Sequence, residues 1–180
     1  MTKETTMYEL RYPIGQYKAP TLIDKVQRDK WIKDIATLPA RFRDVVSKLT
    51  PEQLDTPYRP GGWTVRQLAH HVPDSHLHSM VRFKWALTED KPLIKAYNEQ
   101  AWAELADYKE DIAVSLNLLE TIHARWIVLL NVMTEADYAK SFMHPETGKE
   151  MRLDFTLGMY AWHGNHHLAH ITKLIEREGW

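Results

Sequence analysis

The 180-residue sequence predicts an all-α fold, a four-helix bundle, on three observations. Four long segments carry apolar residues at the 3.6-residue spacing of an amphipathic helix. A long crossover separates the second segment from the third, and no internal repeat, linker or low-complexity tract divides the chain. Residues 1–180 therefore read as one domain with an N-terminal arm over about residues 1–20. Its composition, 44% apolar and 26% charged, is that of a globular chain, and the length suffices to bury a substantial core.

The elements follow in order. Residues 1–20 lack helical periodicity and carry Pro13, Gly15 and Pro20, which predicts an arm. From Thr21 to Leu49, Leu22, Val26, Trp31, Ile35, Leu38, Phe42 and Val46 recur at helical spacing, and Pro39 is expected to kink or divide this first long helix. Thr50, Pro51 and Gln53 form a capping-box pattern with proline at the first helical position, so a short helical turn precedes the loop TPYRPGG. Thr64 and Gln67 repeat the pattern and open a second long helix, about Val65 to Leu87. In it Val65, Leu68, Val72, His76, Ser79, Phe83 and Leu87 share one face, and Pro73 predicts a local distortion.

The crossover from Thr88 to Asp111 has prospective aromatic anchors at Tyr97 and Trp102 and a helical turn around Glu99 to Leu105. Its length permits the second and third long helices to lie parallel. The third, about Asp111 to Met133, aligns Ile112, Leu116, Leu119, Ile122, Trp126, Leu130 and Met133. Met143 to Phe155 carries a Pro-Glu-Thr-Gly turn signal between two short alternating segments, which predicts a small hairpin before the fourth helix, about Phe155 to Arg177.

Charge and composition exclude several functions. A formal net charge of −1 and the lack of any basic block argue against a nucleic-acid partner. Without cysteine there is no disulfide, thiolate metal site or cysteine nucleophile, so any thiol chemistry must take its sulfur from a substrate. The N-terminus carries no signal-peptide pattern, and the apolar run Trp126 to Leu130 is too short to span a bilayer. A cytoplasmic location without membrane attachment is the expectation.

The ten histidines are the chemically informative residues. Four lie in WHGNHHLAHI, Trp162 to Ile171, and His70 and His71 stand side by side on the second helix. Taking about 100° per residue, Leu157, Ala161, Gly164, Leu168, Ile171 and Ile175 define the inner face of the fourth helix. His167 and His163 then border the core on one flank, four residues apart, where two imidazoles can share one ion. His166 falls nearly opposite the core, and His170 is intermediate and more exposed. On the second helix His71 lies on a flank with Ser75, His78 and Arg82, whereas His70 swings to the other side.

The candidate metal ligands are therefore His71, His163 and His167. Three neutral nitrogens from two helices hold a divalent ion and leave a coordination position open. Zinc or nickel suits that donor set, with cobalt and iron next, whereas magnesium and calcium require carboxylates. A metalloprotease helix is disfavoured, because the position of its glutamate base is occupied by Gly164. Gly164, on the core face, is expected to permit close helix approach.

His76, His78, His123 and His144 read as structural or surface residues, Asp74 as a solvated carboxylate, and Tyr160 and His78 as flank residues able to touch substrate. Trp162 is expected to point away from the core, and it or Trp180 could mark a dimer surface. No catalytic acid or base can be assigned from the sequence.

GGWTVRQLAHHVPDSH (Gly61 to His76), LGMYAWHGNHHLAHI (Leu157 to Ile171), YPIGQYK (Tyr12 to Lys18) and FMHPETGKE (Phe142 to Glu150) closely resemble the YfiT branch of the DinB-like superfamily. The resemblance covers nearly the whole chain. It implies a four-helix bundle, a homodimer, and zinc or nickel held by one histidine of the second helix and two of the fourth. Matched motif by motif, those are His71, His163 and His167. It also implies an enzyme, either a metal-dependent hydrolase or a thiol S-transferase that uses bacillithiol or a similar low-molecular-weight thiol. The alternative is a non-catalytic metal-binding stress-response protein.

Overall fold

The computed structural model describes residues 6–180. In chain order it contains α1 (Met7–Arg11), α2 (Lys25–Val46), α3 (Pro51–Leu54), α4 (Val65–Thr88), α5 (Glu99–Trp102), a 3-10 turn (Ala106–Lys109), α6 (Ile112–Val132), α7 (Glu135–Ala139), the strands β1 (Ser141–His144) and β2 (Lys149–Arg152), and α8 (Leu153–Glu178). The four long helices α2, α4, α6 and α8 form the bundle. Their ends are set by local chemistry. Thr64 accepts from the Gln67 N–H while the Gln67 side chain returns to the Thr64 N–H, and Thr50 and Gln53 do the same before α3. Asp24 and Asp111 cap α2 and α6, and Gly179 closes α8 in the left-handed conformation.

Cross-helix contacts fix the directions. His70 meets Ser115, His76 meets His123 and Phe83 meets Trp126, so α4 and α6 run parallel. Arg82 meets Tyr160 whereas His71 meets His163 and His167, so α8 is antiparallel to α4. Ile35 contacts His123 and Arg43 contacts Asn117, which sets α2 antiparallel to α6. The long helices therefore run up, down, down, up, and the crossover holding α5 and the 3-10 turn carries the chain back between α4 and α6. Tyr97 and Trp102 anchor it against His78, the Tyr97 ring stacking at 4.2 Å.

Two apolar clusters fill the interior. One gathers Trp31, Ile35, Met80, Phe83, Trp126, Phe142 and Leu157, the other Phe42, Leu68, Val72, Leu119, Leu168 and Ile171. Close to where one cluster gives way to the other along α4, α6 and α8 stand the histidines His76, His123, His163 and His167. By length and composition alone α6 could cross a membrane, but its inner face supplies Leu119, Ile122, Trp126 and Leu130 to the bundle core.

Two expectations need correction. Pro39 does not divide its helix but lies buried inside continuous α2; α4 likewise runs unbroken through Pro73, as expected. The arm contains the helix α1, nucleated by a Thr6–Glu9 capping box and too short for a periodicity to register. Residues 1–5 of the predicted arm lie outside the described residues. The hairpin is present, with Ser141 opposite Arg152 and His144 opposite Lys149.

Candidate metal centre

His71, His163 and His167 converge, their ring nitrogens all lying within 4.8 Å of one another. The Nε2 atom of His163 is 3.3 Å from that of His71 and 3.2 Å from that of His167. Nitrogens coordinated tetrahedrally at 2.0–2.1 Å stand about 3.3 Å apart, so the spacing fits one small divalent ion. The donor set fits as well. His71 and His167 are buried and His163 is partly exposed. Burial holds the His71 imidazole down at about pKa 4, and burial with mutual repulsion keeps His163 and His167 well below 6.5. Near neutral pH all three present lone pairs.

Close packing between helices makes this convergence possible. A Cβ at Gly164 would run into the Leu38 side chain of α2 and approach His76 at 3.3 Å. Gly164 therefore lets α8 close on α2 and sets the height of His163 beside it. Trp63, read from the sequence only as preceding a helix cap, packs its ring 4.6 Å from His71 and walls the site.

His163 alone among the three has a hydrogen-bond partner for its other nitrogen. Its Nδ1 faces His76 Nε2 at 3.3 Å, whereas the Nδ1 atoms of His71 and His167 are buried without a partner among the described residues. His76 Nδ1 in turn lies 2.9 Å from His123 Nε2, and His123 Nδ1 lies 2.6 Å from the Ile35 carbonyl oxygen. His76 and His123 are thus buried parts of the centre. The sequence signal for His76 was its position on the apolar face of α4, where a polar ring requires a partner.

The remaining candidates sort clearly. His166 and His170 are buried, contrary to the outward positions read from the helical wheel. The arm covers them, with Trp162 stacked on His166 at 4.4 Å, Tyr12 beside it, and His170 Nε2 donating to the Arg11 carbonyl. Tyr58 stacks on His170 at 4.0 Å. Trp162 is itself covered, its indole donating to the Gly15 carbonyl. Asp74 is half-buried and accepts from the Tyr108 hydroxyl at 2.7 Å, so it is neither solvated nor a partner of His71. His70 bonds Ser115 and the Glu110 carbonyl, outside the cluster. His78 packs under the crossover, and His144 sits in β1.

Tyr160 lies between the cluster and a buried cation. Its ring is 5.6 Å from that of His163, and its hydroxyl accepts from Arg82 Nη1 at 3.2 Å. Arg82 is only 7% exposed, its Nε has no partner, and no carboxylate pairs with it among the described residues.

The sequence pattern described as the DinB superfamily matches residues 34–171. A Bacillus subtilis (strain 168) protein named "Putative metal-dependent hydrolase YfiT" is 49% identical over 176 residues, covering 97% of this chain and 99% of that protein. A relative of the same description from Bacillus mycoides (strain KBAB4) is 52% identical over 174 residues, covering 97% of this chain and all of its own length. The solved structure of YfiT from Bacillus subtilis, described as a probable metal-dependent hydrolase with an unusual four-helix bundle topology, superposes with a TM-score of 0.93 over 96% of this chain and 99% of that one. A second four-helix bundle protein, 18% identical, shares the fold with a TM-score of 0.53 over 78% of this chain and 94% of its own. By family pattern, sequence identity and fold, the chain belongs to the DinB superfamily.

Proposed function

We propose that the protein is a metal-dependent enzyme whose His71, His163 and His167 hold one divalent ion, zinc or nickel, and that it acts on a small molecule. The observation that carries this reading is the convergence of three neutral imidazoles at coordination spacing. When bound with a position open, such an ion supplies Lewis acidity and lowers the pKa of a water or thiol towards neutrality. The chain's own part is to present three lone pairs, to restrict solvent with Trp63 and Tyr160, and to orient the substrate.

The relatives' names favour hydrolysis. A second reading, transfer of a low-molecular-weight thiol such as bacillithiol, is favoured by one feature of the surroundings. Among the described residues no carboxylate hydrogen-bonds to the three rings, and Asp74, three residues from His71 along α4, is bonded to Tyr108. Hydrolysis commonly needs a general base beside the water, whereas a thiol acidified by an ion needs less help. Arg82, which donates to the Tyr160 hydroxyl and the Lys95 carbonyl and pairs with no carboxylate among the described residues, suits an anionic group on the substrate.

The deciding experiment loads the protein with zinc or nickel and assays esters and amides beside a panel of thiols with a generic electrophile. Activity that disappears with chelator and returns with metal supports the proposal, and the productive panel names the reaction. A fully saturated ion that no thiol or anion perturbs would favour a non-catalytic metal-binding protein. Homodimerisation in the cytoplasm completes the proposal.

A further inference from the structure

We infer that His76 and His123 are positioning residues for the metal ligand His163, and that the direction of their hydrogen bonds is set by a backbone carbonyl that Pro39 leaves free. This rests on the proposed metal site. In an α-helix the N–H of residue 39 would bond the carbonyl of residue 35, but proline has no N–H. The Ile35 carbonyl of α2 therefore lacks that helical donor, and His123 of α6 occupies it at 2.6 Å.

A carbonyl only accepts, so the proton of neutral His123 must sit on Nδ1. Its Nε2 then accepts, which requires His76 Nδ1, 2.9 Å away, to donate. His76 Nε2 is left as acceptor, which requires His163 Nδ1, 3.3 Å away, to donate in turn. His163 Nε2 is left with its lone pair directed at His71 and His167. One carbonyl thus orders three imidazoles across α2, α6, α4 and α8, and the last is held in the tautomer able to bind metal. Neutrality of the rings follows from burial, His76 and His123 both being almost inaccessible to solvent. Outer partners of this kind also raise ligand basicity and restrain ring rotation.

Tautomers read by two-bond 1H–15N NMR in metal-free, 15N-histidine-labelled protein test the ordering without any metal. The expected result is Nδ1–H on His123, His76 and His163, and Nε2–H on His163 would overturn the inference. Zinc affinity by chelator competition tests the consequence. His76→Phe should weaken binding by about 10- to 100-fold, and His76→Gln, which can still accept from His163, should recover most of it.

Pro39→Ala separates positioning from stability. The new N–H competes for the Ile35 carbonyl, so zinc affinity should fall while the melting temperature of the metal-free protein holds or rises. Zinc affinity within twofold of wild type in folded His76→Phe and Pro39→Ala would refute the role, and if either variant fails to fold the wild-type tautomers decide it. Were the wild-type protein to bind no zinc or nickel, the metal proposal would fail while the tautomer measurement still judged the chain.

Discussion

The centre consists of a few rings whose value depends on what each second nitrogen touches. His163 combines the shortest contacts to the other ligands with the sole outer partner. His163→Ala should therefore cost zinc or nickel affinity more than the roughly 100-fold governed by outer partners, and abolish activity with it. Inductively coupled plasma analysis of the purified variant checks the first part, and retained full occupancy would contradict the ligand set. Arg82 makes a separate prediction. In cobalt-loaded protein, mercapto acids should bind about tenfold tighter than the matching mercapto alcohols, and Arg82→Gln should remove that preference. Equal binding of acids and alcohols by the wild type would assign Arg82 a purely structural role through Tyr160 and the Lys95 carbonyl. The convergence of His71, His163 and His167 was legible in sequence because His163 and His167 stand one turn apart on a helix flank. His123 was not, because its meaning lies in a contact with the Ile35 carbonyl, 88 residues away.

Helix packing determines whether those rings meet. Gly164 sits on the core face of α8 against Leu38 and His76, so Gly164→Ala should overpack the α2–α8 contact and destabilise the fold by about 1–3 kcal/mol. It should also weaken metal binding, because the added methyl pushes on the ring that supports His163. Denaturant melts and zinc competition on the same variant check both, and a Gly164→Ala protein as stable as wild type would mean that α2 yields freely. Capping boxes at Thr50 and Thr64 were readable because they need only residues three apart. The burial of His166 and His170 was not, because a helical wheel places a residue relative to the bundle axis and knows nothing of an arm laid over the outer face. Pro39 and Pro73 were readable as breaks in hydrogen bonding, but packing on both sides kept each helix whole.

Over the whole chain, burial suppresses the ionisation of nine of the ten histidines. In the unfolded chain these rings take up protons near pH 6.5, whereas His71, His123 and His170 resist to about 4 and His166 to about 3 when folded. Between those limits the unfolded state binds more protons, so stability rises with pH across that window and is lost as pH falls through it. The metal-free protein should melt at a nearly constant temperature above about pH 7 and progressively lower from 6.5 towards 4. Calorimetry across that range checks it, and a flat profile would show that the rings are more hydrated than their burial implies. Zinc should raise the melting temperature at neutral pH by mass action and lose that effect on acidification.

Sequence by itself determined the four amphipathic helices, the capping boxes at Thr50 and Thr64, the hairpin and the flank on which the candidate ligands stand, because periodicity and capping are local properties of the chain. Tertiary structure alone decided that the arm buries His166 and His170 and that Arg82 lies behind Tyr160 with no carboxylate partner among the described residues. It also decided that a carbonyl freed by Pro39 orders His123, His76 and His163. Each of these joins groups distant along the chain, and hydrogen bonding and burial act through space.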